Sequence, residues 1–220
     1  MRWCVYEEER DESRFLMPMS EYNRIHQVAH GVLKDIGRAE KACNFFACFG
    51  AMVLNMHYKI PAQVVAGGFA LCINAQPELA VFGKVENGRI SSSPDGFHMW
   101  VQTKTHVIDF MAPIFPEAFA ETGPTTTFPR QMLQRPLTTE ARSMDELNTP
   151  GAFYTMPDTD MTKAMLDRFL GRAQTTDLLS IADSWYGGCR CKQKPALTMQ
   201  DDLGEKIELR LPATTATGAW

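Results

Sequence analysis

Two residues that exchange protons, His98 and Asp109, lie in one short stretch, Gly96-Phe97-His98-Met99-Trp100-Val101-Gln102-Thr103-Lys104-Thr105-His106-Val107-Ile108-Asp109-Phe110. Apolar and polar residues alternate on both sides of Thr103-Lys104, which predicts a β-hairpin, although Thr-Lys lacks the glycine or asparagine that favours the tightest turns. With those two residues as the loop, Gln102 faces Thr105, Trp100 faces Val107 and His98 faces Asp109. Directly opposed residues share a face, with β-carbons about 4.5–5.5 Å apart. A carboxylate placed there accepts the imidazole N–H, sets its tautomer and stabilises the imidazolium, the orienting role in a nucleophile-base-orienter triad. A solvated strand pair has the same sequence signature, and a three-residue loop would put the two side chains on opposite faces. What distinguishes the readings is a nucleophile with a reason to meet them.

Cys43 is the candidate. A helix is expected to start between Arg38 and Ala42 and to run to about Met56, with Cys43, Ala47, Gly50 and Leu54 along one stripe and Phe45, Phe46, Phe49, Met52 and Val53 around most of the rest. A helix apolar nearly all round is buried, and Ala47 and Gly50 let a sheet approach its backbone despite the roughly 1 kcal/mol that glycine costs. The positive end of the helix dipole acts only near the N-terminus, so Cys43 is placed as nucleophile and Cys48 as a small core filler. Next to an imidazolium, such a thiol can fall from a pKa of about 8.5 to roughly 3.5–7.5. The Cys43 backbone N–H would then face an oxyanion. A second oxyanion donor is expected, and Gln27 is the only glutamine that precedes Cys43.

The elements around this pair read as follows. Ser20 caps a core-packing helix to about Ile36, with Gly37 as its stop. That helix carries His26-Gln27-Val28-Ala29-His30, but Gln stands where the helical zinc-peptidase motif needs a glutamate base, so no metal is expected there. Strands follow over 60–73 and 79–85, and Gly67-Gly68 marks either a bulge or a place where another backbone comes close. The hairpin continues an antiparallel sheet of four or more strands, and a buried helix followed by that sheet is an α+β arrangement. The proline-rich span 113–157 reads as an irregular lid or cleft wall, with a tolerated insertion as the alternative. Helices at about 160–170 and 176–186, a hairpin pairing 196–200 with 205–211, and a loose Thr/Ala/Gly tail complete the chain.

At 220 residues, with 45% hydrophobic and 22% charged, the chain fits one domain, 1–220, with a core at about 20–113 and a C-terminal part at 158–211. A net charge of −4, without a basic block, argues against nucleic acid. The longest apolar run, from Phe45 to Leu54, is too short for a membrane span, and no signal peptide is read at the N-terminus. A cytoplasmic setting is therefore expected, with Cys4, Cys43, Cys48, Cys72, Cys189 and Cys191 as reduced thiols. Cys189-Arg190-Cys191 is too tightly spaced, and lacks a second ligand pair, for a zinc knuckle.

A helical Cys, then Ile60-Pro61-Ala62-x-Val64-Val65-x-Gly67, then His98-x-Trp100-Val101, then a strand ending in Asp109, resembles the transglutaminase-like branch of the papain-like cysteine-proteinase superfamily over about residues 38–113. The distance from Cys43 to Ile60 suits that pattern, whereas Cys48 lies too close. Gln63 stands where arginine is usual, Gln102 where an acidic residue often follows, and Asp109-Phe110 where Asp-Pro is common. The whole chain also resembles an uncharacterised bacterial family assigned to that superfamily. The resemblance implies a papain-like core, with a buried helix carrying Cys43 packed on a sheet carrying His98 and Asp109. It further implies a Cys43–His98–Asp109 triad, which is read as that of a cysteine hydrolase of amide or peptide bonds, because this cofactor-independent route demands less of the sequence than transfer does. An acyl or glutamyl transferase is the alternative, as is a binding protein that keeps the fold without turnover.

Overall fold

The computed structural model describes residues 15–34, 37–75, 78–86, 88–120, 128–188, 190–200 and 203–220. The first helix, α1, spans Met19–Leu33. Its cap is Pro18 and not Ser20: the extended backbone of Pro18 lets its carbonyl accept from both Glu21 and Tyr22, and Ser20 already lies in the first turn. Its expected end, Ile36, lies outside the described residues.

A 3₁₀ turn over Ala39–Lys41 leads into α2, Cys43–Val53, which opens with Cys43 itself. A π-helical turn over Leu54–Tyr58 extends α2 until Lys59 leaves in the left-handed conformation. Gly50 permits a close approach here: a β-carbon at that position would stand 2.3 Å from the Phe110 ring and 3.3 Å from Val101.

The strands are β1 (Ala62–Cys72), β2 (Leu79–Phe82), β3 (Lys84–Glu86), β4 (Arg89–Ser91), β5 (His98–Thr103) and β6 (His106–Asp109). The predicted strand 79–85 is broken at Gly83, whose φ of +144° favours glycine. β3 and β4 then pair as a separate ribbon. β1 is unbroken through Gly67-Gly68, so the close-approach reading of that pair holds and the bulge does not. Gly67 pairs with His98 on one edge and Pro157 on the other, and a β-carbon there would meet the Met156 carbonyl oxygen at 2.1 Å.

After a 3₁₀ turn at Ala112–Ile114 comes α3, Phe115–Ala118. The span 113–157 then departs from the irregular lid expected of it. It supplies β7 (Gln131–Pro136), which pairs with β6, and β8 (Phe153–Pro157), which pairs with β1. Prolines at strand ends hide period-2 patterning without preventing pairing at an edge. Next come α4 (Thr159–Leu170), capped by the Asp158 carboxylate on the Met161 N–H at 2.9 Å, and α5 (Ala173–Tyr186), ended by left-handed Gly187. The hairpin β9 (Ala196–Gln200) and β10 (Lys206–Arg210) forms as expected. The tail is not loose: β11 (Gly218–Ala219) lies parallel to β7, and Ala216 and Trp220 are buried.

The fold is therefore mixed α+β, with a seven-stranded, mostly antiparallel sheet in the order β11-β7-β6-β5-β1-β2 and β8 on the other edge of β1. No described helix is long and apolar enough to cross a membrane.

Candidate active site

The hairpin that carries His98 and Asp109 turns one residue later than expected. β5 and β6 pair Val101 with Ile108 and Gln102 with Val107, so Lys104 and Thr105 form the loop and Gln102 faces Val107, not Thr105. Neither loop residue has a positive φ, and the turn is supported instead by the Thr103 hydroxyl. That hydroxyl accepts from the Thr105 N–H at 3.2 Å and from the His106 N–H at 2.9 Å. The register has thus moved by two residues. A one-residue slip would have turned the strand over, whereas two residues restore the face, so His98 and Asp109 are diagonal neighbours and not directly opposed.

The diagonal is closed by a hydrogen bond from His98 Nε2 to Asp109 Oδ2 at 2.5 Å, with both side chains only 1% exposed. The other carboxylate oxygen accepts the Met111 N–H at 2.9 Å. The Tyr22 hydroxyl donates to the Asp109 carbonyl, tying α1 to the strand end. Phe82 stacks on the imidazole with ring centroids 4.1 Å apart, and Phe115 meets it edge-on at 5.8 Å. Burial opposes charge on His98, but the Asp109 carboxylate, by charge and by hydrogen bond, together with the nearby Cys43 side chain, raises its pKa from 6.5 to about 10.

Cys43 reaches the imidazole by an end-to-end approach. Gly50 of α2 packs on Val101 and Phe110, which alternate with Trp100 and Asp109 and so occupy the opposite face from His98. Cys43 is the first residue of α2 and His98 the first of β5, so they meet where both elements begin. The thiol is partly buried, and it occupies the first turn of α2, at the positive end of the helix dipole.

The other cysteines differ in setting. Cys48 is buried and its thiol is pushed up to about 12 by burial, and Cys72 is raised for the same reason. Cys191 is exposed and donates to the Gly187 carbonyl at 3.0 Å. Cys4 and Cys189 lie outside the described residues. Gln27 donates to the Pro212 carbonyl at 2.8 Å.

The first histidine of α1 packs in the core. Buried His26 points Nδ1 at the Phe110 carbonyl, 2.8 Å away, and stacks on Phe46, while burial lowers its pKa to about 3. Among the described residues no three metal-ligating side chains come together.

Sequence reasoning missed Tyr22, Phe82 and Phe115, because apolar patterning marks them as core without saying what they touch. It also missed a second imidazole–carboxylate pair, His57 Nε2 with Asp183 Oδ1 at 2.6 Å, whose partners are brought together only by the packing of the π-helical turn on α5.

Comparison with known proteins places residues 18–220 in the family described as "Protein of unknown function (DUF2026)". The chain belongs to that family. The DUF2026 chain is also similar to a solved structure described as "The crystal structure of genomics APC5867", at 27% identity, with a TM-score of 0.82 over 96% of this chain and 100% of that one. No curated protein matches it.

Proposed function

We propose that this chain is a cysteine hydrolase of amide or peptide bonds, built on a papain-like, transglutaminase-like core. Cys43 is its nucleophile, His98 its acid and base, and Asp109 the orienting carboxylate. The observation that carries the reading is the buried His98–Asp109 hydrogen bond with Cys43 beside the same imidazole at a helix start.

The Cys43 thiol gives its proton to His98, which Asp109 holds in the protonated form. The thiolate attacks the substrate carbonyl carbon, and the π electrons move to oxygen, where the Cys43 backbone N–H stabilises the charge. Collapse of that intermediate breaks the C–N bond, and the departing amine takes the proton from His98. His98 then removes a proton from water, hydroxide attacks the thioester, and the thiolate leaves as the acid is released. With an amine in place of water the same steps give acyl transfer.

Limited alkylation with iodoacetamide at about pH 6, where ordinary thiols are nearly all protonated, tests this reading. Peptide mapping is expected to find Cys43 modified at least tenfold faster than exposed Cys191, and His98→Ala removes the preference. Equal labelling of Cys43 and Cys191 in the native protein overturns the proposal and favours a binding protein of the same fold.

A further inference from the structure

A cleft of about 180 Å³ opens beside the proposed triad. Asn44, the neighbour of Cys43, and Phe97 and Met99, the neighbours of His98, form one wall, and Met165 and Phe169 of α4 face them. Pro94, Arg168 and Arg172 complete the lining. Arg168 lies in the last turn of α4, and Arg172 is the extended N-cap of α5, so the corner between the two helices brings both side chains to the cleft.

Several surface arginines are already engaged. Arg38, Arg130 and Arg210 each hold a carboxylate, at 2.6, 2.6 and 2.8 Å respectively. Among the described residues Arg168 and Arg172 are in no ion pair, and both are exposed. Two guanidinium groups without an ion pair, in a cleft lined mostly by apolar side chains, suit an anion, because each presents a planar fork that matches a carboxylate. Asn44 adds a polar group at the thiol end: its Oδ1 accepts the Phe45 N–H at 2.8 Å, leaving its own N–H groups to donate to a substrate carbonyl.

We infer that this cleft selects acyl substrates bearing a carboxylate close to the scissile carbonyl, with the apolar chain between them lying on Phe97, Met99, Met165 and Phe169 and the carboxylate held by Arg168 and Arg172. The inference rests on the cysteine-hydrolase reading above and names the substrate class of that site.

The test compares covalent labelling of Cys43 by two short peptide vinyl sulfones that differ only in Glu or Gln at the residue before the reactive group, followed by intact-mass spectrometry. A second arm measures protection of Cys43 from iodoacetamide by peptides ending in a free carboxylate or a carboxamide, which separates a terminal carboxylate from a side-chain one. An acidic preference of about tenfold in either arm is the expected result, in line with two solvent-exposed charge pairs. The preference shrinks in about 0.5 M salt, where exposed charges are screened, and falls to about unity in the R168Q/R172Q double variant, while R168K/R172K, which retains the charge and loses the fork, keeps only part of it. The neutral member of each pair controls for folding within every sample. Equal rates for acidic and neutral members, or a preference that survives R168Q/R172Q, overturn the inference while leaving the hydrolase reading intact, provided that iodoacetamide still singles out Cys43. If iodoacetamide does not single out Cys43, the hydrolase reading fails and the inference falls with it.

Discussion

At the scale of single residues, the pairing of His98 with Asp109 has a consequence for stability. The folded pKa of His98, about 10, lies above the 6.5 of the unfolded chain because Asp109 and Cys43 outweigh burial. A raised pKa means that the folded state binds the proton more tightly. The stabilisation is therefore full below about pH 6.5, declines above it and is gone once the pH has risen past about 10. Urea denaturation midpoints are expected to fall between pH 7 and pH 10, and Asp109→Asn flattens that slope by removing the main source of the shift. An unchanged slope in Asp109→Asn places the alkaline sensitivity elsewhere. Asp109 was legible because its spacing from His98 suits a hairpin. Tyr22, which donates to its carbonyl, was not, since a tyrosine on an apolar helix face carries no sign of its partner.

Among the elements, α2 decides how the site is assembled. Its close seat on β5 depends on Gly50, where a β-carbon would stand 2.3 Å from Phe110. Alanine favours a helix over glycine by about 1 kcal/mol, yet the clash reverses the sign. Gly50→Ala is expected to cost about 1–3 kcal/mol in chemical denaturation, typical of an overpacked core, and to slow Cys43 alkylation by moving the helix start. A stabilised variant would show that the sheet can yield. Sequence foresaw the small residue and its use, because Gly within an otherwise bulky apolar run is costly without a packing reason. The hairpin loop was misplaced by one residue, because the support comes from the Thr103 side chain and not from a turn-forming dipeptide.

For the molecule as a whole, the last residues join the core, since β11 adds to β7 and Trp220 packs beside it. Trp220→Ala is expected to lower stability by about 3–5 kcal/mol, read from denaturant midpoints, because it empties a large buried site. A loss below about 1 kcal/mol would mean that the tail is dispensable. The sequence by itself determined the buried helix that carries Cys43 in its first turn, the strands that bear His98 and Asp109, the α+β class and the candidate triad, while it put the helix start a little early, between Arg38 and Ala42. Each of these follows from local periodicity, from helix starts and stops, or from the resemblance built on them. Only the tertiary structure decided that β7 and β8 of the proline-rich span enter the sheet, that the tail closes its edge, and that Arg168 of α4 and Arg172 at the start of α5 line one cleft with Asn44. Those pairings join residues far apart in the chain, and their energy comes from shared burial and backbone hydrogen bonding between segments whose own sequences do not identify their partners.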